Sequence, residues 1–390
     1  MPTTRPLPTH RTLLLLLAAS VLATVAAQGC GDSTTTPTSA PDFEKPGPYP
    51  AGNTTISLRD AARDRTLTVE VWYPAVAGAR RTAEEGEPVE DFFPPGAERE
   101  QYAQLLSESP DPGPSRRTHA ARDATPASTA ASWPILVFSH CFTCTRFSSF
   151  SIAERLASHG FVVAAPDHAG DTVFDATLPL TVDTLQTRGA DIRFVLTALL
   201  AGSSGAAALP ADLLGKLDAS RAGVFGHSFG SVTTGLVLQD DDRFRAGAGI
   251  AAPFENPILS GVFMANIAEP VLYLVAREDN SIGEIGDQFI RANFAAAPAP
   301  IWKVEVTDAG HWSFSDLCHL GTMFTPGCGD GVRQTVPGQP FTYLPIDTGR
   351  AIGAAYVTAF FAAELRGEEA GRAYLAQAHP AGIVDVAARP

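Results

Sequence analysis

Gly226-His227-Ser228-Phe229-Gly230 is the stretch whose residue types and spacing point most directly to chemistry. The apolar run Ala222 to Phe225 precedes it, and a helical stretch, Ser231 to Leu238, follows. Glycines on either side of a serine let the chain turn sharply from strand into helix and pack closely. The turn lifts the hydroxyl off the sheet edge, where it can attack a carbonyl carbon. A Gly-rich turn of structural use only is the alternative, and the strand before and helix after favour the nucleophile.

A serine hydroxyl needs a base, and the base needs a carboxylate to orient it. In strand–turn–helix nucleophiles of this kind the acid comes next in the chain and the histidine after it. His311, His319 and His379 lie downstream. His311 stands in Asp308-Ala309-Gly310-His311, just past the apolar run Trp302 to Val306, where Gly310 lets a loop turn the imidazole back to the sheet edge. His319 reads as a solvated surface residue, and His379 lies in a Pro/Ala-rich end. The expected acid is Asp279, leaving the C-terminal end of the run Val271 to Val275. Its neighbour Glu278 is expected to point away as a solvated loop charge. Asp308 and Asp316 share the histidine's own loop and are expected to shape it.

Acyl transfer also needs N–H groups aimed at the developing oxyanion. Phe229, the residue after the nucleophile, offers one. The second is expected from Phe142, in the loop Ser139-His140-Cys141-Phe142-Thr143-Cys144. His140 precedes the nucleophile in the chain and reads as a brace for this loop. Phe142, Phe147, Phe229 and Trp312 are expected to line an apolar pocket, with plain core packing as the alternative.

These residues must be held by a sheet. Short apolar runs (Ile135 to Ser139, Phe161 to Ala165, Ala222 to Phe225, Ala246 to Ile250, Val271 to Val275, Trp302 to Val306) alternate with helical stretches. The stretches are Ser148 to Ser158, Arg188 to Leu200, Ser231 to Leu238, Ile285 to Phe294 and Gly349 to Leu365. Near-continuous apolar strands between helices predict an α/β fold with a mostly parallel, doubly wound sheet. Its strand C-termini share one edge. An earlier strand, Thr66 to Tyr73, alternates with period two. Residues 75–132 are rich in Glu, Arg, Pro, Ala and Ser and read as a loop-rich insertion near the substrate mouth.

The chain has 390 residues, enough for one large catalytic domain and a tail. That domain is expected over residues 51–375, with 376–390 as a C-terminal tail. At the start, Arg5 and Arg11 precede an apolar run from Leu13 to Ala27, which predicts a signal peptide over 1–29. Residues 30–50 are Thr/Ser/Pro/Gly-rich and read as a flexible tether. Ala27-Gln28-Gly29-Cys30 resembles a bacterial lipobox, with Cys30 as the lipidated residue; ordinary cleavage before Gln28 is the alternative. The chain is therefore expected to be exported, as a lipoprotein at the cell envelope or else secreted. The other four cysteines are an even set suited to an oxidising compartment. Cys318 and Cys328 flank a short loop and are expected to pair. Cys141 and Cys144 are read as a tight disulfide or as small buried side chains; a redox site or a zinc site fits the fold poorly.

At these residues the chain resembles the α/β-hydrolase superfamily, in particular the type II platelet-activating-factor acetylhydrolase and dienelactone-hydrolase-like group. The resemblance rests on Val69-Glu70-Val71-Trp72-Tyr73-Pro74, Phe138-Ser139-His140, Leu156 to Ala165, Gly226 to Gly230 and His311 to Asp316. Asp279-Asn280-Ser281-Ile282 also resembles the acid loop of cutinase-like polyester hydrolases. The resemblance implies a serine esterase with no metal or organic cofactor, Ser228 as nucleophile, Asp279 as acid, His311 as base and Phe142 and Phe229 as oxyanion donors. One position departs: the group usually has glycine where Cys141 stands, which predicts a differently shaped oxyanion loop.

The formal net charge of −14 argues against nucleic acid or an anionic membrane as the main partner. Membrane contact is expected only through the lipid on Cys30. The expected partner is a small-molecule or lipid ester, such as short acyl esters and oxidised or acetylated phospholipids, with polyesters as a second class. A catalytically silent binding or scaffold lipoprotein is the reading from another class, which the intact Ser, Asp, His order disfavours. No sequence feature assigns an oligomeric state.

Overall fold

The computed structural model describes residues 41–109, 117–175, 179–202, 209–298, 300–318 and 320–389. The expected leader, Cys30, most of the tether and His319 lie outside the described residues.

Ten strands form one sheet: β1 (Ala51–Asp60), β2 (Arg65–Pro74), β3 (Ala120–Arg122), β4 (Trp133–Ser139), β5 (Val162–Pro166), β6 (Leu217–His227), β7 (Phe244–Ile250), β8 (Val271–Ala276), β9 (Ile301–Val306) and β10 (Val384–Arg389). Their spatial order is β10-β9-β8-β7-β6-β4-β5-β2-β1-β3. The strands from β5 across to β9 run parallel, while β2 joins β5, and β10 joins β9, in antiparallel register. Every parallel strand in this block was legible as an apolar run. Strand β1 was not read from the sequence, because Asn53, Thr54 and Thr55 interrupt its alternation.

Successive residues of one strand feed two cores, as a period of two requires. Helices α1 (Arg80–Glu85) and α2 (Ala97–Ser107) lie within the 75–132 stretch. Leu136 and Phe138 of β4 join a core with α3 (Phe150–Ser158) and α7 (Ile346–Arg366) on one face, whereas Ile135 and Val137 join α4 (Val182–Ala201), α5 (Phe229–Asp240) and α6 (Gly283–Ala296) on the other. The chain leaves β4 toward β5, then returns past β4 to β6. Strand order therefore reverses between β4 and β6, and a doubly wound sheet places its site in that crevice.

Two stretches differ from expectation. Residues 376–390 do not trail away: Val384–Arg389 pairs along all of β9 and closes that sheet edge. The 75–132 insertion is also more structured than its composition implies. Its strand β3 joins β1, and Phe92, Phe93 and Tyr102 are buried. Phe93 packs at 4.8 Å from Phe147, which belongs to this aromatic core rather than to a substrate pocket.

Candidate active site

Ser228 occupies the turn between β6 and α5 with φ 57° and ψ −118°, a left-handed conformation that β-carbon-bearing residues rarely adopt. Main-chain bonds hold it there: its N–H donates to Ile250 O at 2.8 Å, and its carbonyl accepts from Ser231 N at 2.8 Å. The flanking glycines are required by contact. A Cβ at Gly226 would stand 2.1 Å from Gly230 O, and one at Gly230 would stand 1.9 Å from Ser139 O. Strand β6, helix α5 and the end of β4 thus touch backbone to backbone.

Asp279 follows β8 and His311 follows β9, and the two meet: His311 Nδ1 lies 2.8 Å from Asp279 Oδ2. The other carboxylate oxygen accepts from the Ser281 and Ile282 amides at 2.9 and 3.1 Å, which fixes the loop. Both side chains are buried. His227 Nε2, 2.9 Å from the His311 carbonyl, donates to it and so ties the turn of Ser228 to the histidine loop. Burial, then the neighbouring His311, hold the His227 imidazole down at about 3, so it stays neutral. Among the described residues, Ser228 Oγ and His311 Nε2 have no hydrogen-bond partner, as is common before substrate arrives.

The histidine loop is clamped from behind. Gly310 packs so closely on Gly327 that a Cβ would lie 2.4 Å from its Cα, and Trp312 N donates to Pro326 O at 3.3 Å. Phe324 meets Trp312 edge-on at 4.9 Å. The Cys318–Cys328 disulfide closes this supporting loop. Trp312 packs on His311 and His227, so it stiffens the base.

Loop 140–144 follows β4 across the crevice. Cys141 and Cys144 are disulfide-bonded and buried. Cys141 has no left-handed backbone; Thr143 takes it instead, at φ 52°. Phe142 is half-buried, its ring edge-on to Phe229 at 6.1 Å. Neither the Phe142 nor the Phe229 amide has a hydrogen-bond partner among the described residues. The Phe229 amide also opens α5, where the helix dipole favours negative charge. His140 is wholly buried: its Nε2 accepts from His168 N at 3.0 Å, which leaves Nδ1 to donate to Cys141 O at 2.7 Å. Burial and Arg188 keep it well below its ordinary value.

Glu278 is not the solvated charge expected. It is buried and accepts from Thr335 Oγ1 at 2.6 Å, Gln334 N at 2.7 Å and Arg333 at 3.0 Å, holding loop 333–335 against the acid strand. Asp308 pairs with Arg333, and Asp316 accepts from Ser151 N and Oγ while pairing with Arg350. No group of three or more His, Cys, Asp or Glu side chains arranged to hold a metal occurs among the described residues.

Sequence reasoning missed Arg188, Asp171, His168 and Asp191, all buried beneath loop 139–144. Burial pushes the Asp191 carboxyl up, but His168 and Arg65 outweigh it and hold it at about 2. The signal was present: Leu185, Arg188, Asp191, Ile192 and Val195 share the buried face of α4, where a charge is out of place without a partner. Starting the helix at Arg188 hid it.

The fold has a solved counterpart. A ferulic acid esterase from Streptomyces cinnamoneus superposes with a TM-score of 0.60 at 25% identity, over 82% of this chain and 91% of that one. Residues 38–187 match the family model of platelet-activating factor acetylhydrolase, isoform II. The chain has the α/β-hydrolase fold and is similar to that group over residues 38–187. Platelet-activating factor acetylhydrolase from Cavia porcellus is 29% identical over 181 residues, 38% of this chain and 41% of the relative. The Bos taurus protein of that name is 25% identical over 181 residues, 37% and 40% of the two chains. The chain thus aligns with about two-fifths of the length of these relatives. The family match covers β4 and loop 140–144 of this α/β-hydrolase and ends before Ser228.

Proposed function

We propose that the chain is a carboxylic ester hydrolase that works through an acyl-enzyme on Ser228. Ser228 Oγ attacks the ester carbonyl carbon while His311 Nε2 takes its proton. The carbonyl oxygen becomes an oxyanion facing the Phe142 and Phe229 amides. Collapse breaks the acyl–oxygen bond, and His311 returns the proton to the departing alkoxide. Water then attacks the acyl-enzyme with His311 again as base, releasing the acid and restoring Ser228. Asp279 holds the imidazole in the tautomer with the proton on Nδ1 and stabilises its charged form. The observation that carries this reading is the His311–Asp279 contact, tied through His227 to the turn that strains Ser228.

The test is hydrolysis of p-nitrophenyl esters from acetate to palmitate by the wild type and Ser228→Ala. Turnover should disappear in the variant while its thermal unfolding is unchanged; turnover retained by Ser228→Ala would sink the assignment. The same assay with an acetylated phospholipid and a feruloyl ester decides the substrate class. The curated relatives favour the first, and the neighbour superposing over nine-tenths of its length favours the second.

We further propose export with a lipid on Cys30. Two disulfides in the folded unit support an oxidising compartment. Wild type should fractionate with the cell envelope and Cys30→Ser should not. Equal partition of the two would leave simple secretion.

A further inference from the structure

A buried ion pair spans the underside of the crevice and reaches both candidate oxyanion donors. Arg188, on α4, places Nη1 2.5 Å from Asp171 Oδ2 and 3.5 Å from Cys141 O. Its Nη2 donates to His140 O and, at 3.2 Å, to Ser139 Oγ. Asp171 uses its other oxygen to accept from Thr143 N at 3.0 Å. Together they grip the loop carrying Phe142 on both sides of that residue. Cζ of the same guanidinium lies over the Phe229 ring, 4.6 Å from its centroid.

We propose that Arg188, with Asp171, is a positioning residue that sets the Phe142 amide against the Phe229 amide, so that the two N–H groups meet one oxyanion. This rests on the ester-hydrolase reading above. Arg188 and Asp171 have side-chain exposures of 1% and 3%, and burying such a pair is costly unless nearly every donor is used. Here one cation is spent on three carbonyl or hydroxyl oxygens of a single loop, a carboxylate and an aromatic face. Lysine cannot replace that fork, because it is a point charge without a planar surface. Backing comes from the far side: His168 Nε2 lies 3.0 Å from Ser139 Oγ, and its Nδ1 lies 3.1 Å from Asp191, which Arg63 and Arg65 also bind. The loop thus rests on a continuous polar bed anchored to β2.

The test compares Arg188→Lys and Asp171→Asn with the wild type, each normalised to active sites titrated with a fluorophosphonate. Per active site, kcat should fall about 10- to 100-fold, below the loss from deleting an oxyanion donor outright, while KM changes little. Affinity for a trifluoromethyl ketone, whose adduct carries the oxyanion, should weaken by the same factor as kcat. A merely structural role would lower the titre and leave per-site kcat and ketone affinity unchanged. Variants within twofold of wild type in both would overturn the proposal. Ser228→Ala run alongside separates this failure from failure of the hydrolase reading, because only the latter leaves that variant active. Asp171→Asn, nearly isosteric and still able to accept from Thr143, supplies the answer if Arg188→Lys does not fold.

Discussion

Asp279 divides its carboxylate between two loops: Oδ2 faces His311 Nδ1 at 2.8 Å while Oδ1 takes the Ser281 and Ile282 amides. Asp279→Asn can keep the second function by turning its carbonyl to those amides. The NH2 group then faces Nδ1 and forces the proton to Nε2, where the base should be free. The expected outcome is a loss of about 10⁴-fold in kcat with little change in stability, the size known for this change in serine proteases. Steady-state kinetics beside thermal unfolding checks it; a loss below tenfold would remove Asp279 from the mechanism.

Gly230→Ala should not yield folded protein. Its Cβ would need space 1.9 Å from Ser139 O and 2.8 Å from His140 O, both of them main chain. The expected cost exceeds about 4 kcal/mol, in the range of strongly disruptive substitutions. Gly78→Ala, with nothing within 4 Å of the new carbon, should be neutral to about 0.5 kcal/mol. Soluble yield and denaturant midpoints of the pair provide the comparison.

The two disulfides should separate stability from rate. Loop-closure entropy assigns about 2.8 kcal/mol to Cys318–Cys328 and about 1.9 kcal/mol to the shorter Cys141–Cys144 loop. Converting Cys318 and Cys328 together to serine should therefore cost more in urea. Converting Cys141 and Cys144 should cost more in kcat, because that loop carries Phe142. The reverse ranking would show that neither loop acts as described.

His159 gives a pH-dependent term remote from the site. Burial lowers its imidazole to about 4, although Nε2 donates to Lys45 O at 3.0 Å. Unfolded, it binds its proton near pH 6.5. Between those values the unfolded chain holds more protons, so this contribution is complete above pH 6.5 and is lost as pH falls toward 4. The stability difference between wild type and His159→Gln should shift by up to about 3 kcal/mol over that window. Chemical denaturation at pH 7.5, 5.5 and 4.5 measures it, and a constant difference would place the imidazole in contact with solvent.

The candidate constellation was legible because its signals are local. Ser228 sits in a five-residue pattern, Asp279 and His311 each stand just past an apolar strand, and the parallel strands are covered on both faces and so read as unbroken apolar runs. What sequence could not give depends on contacts between distant segments. Arg188 and Asp171 are 17 residues apart and acquire meaning only against loop 139–144. Glu278 looks like a loop charge until residues 333–335 close over it. Val384–Arg389 alternates weakly, and only pairing with β9 makes it a strand.

The contact of Gly230 with Ser139 has a wider consequence. Peptide groups set the spacing between the turn of Ser228 and the end of β4, and Arg188 and Asp171 hold the loop beyond it. Side chains further out, such as the half-buried Phe142 and the exposed Met323, do not enter that spacing. The gauge between the turn of Ser228 and β4 is therefore built into the main chain at Gly226 and Gly230. On the ester-hydrolase reading, the rim can then be reworked for a new ester without recalibrating that spacing.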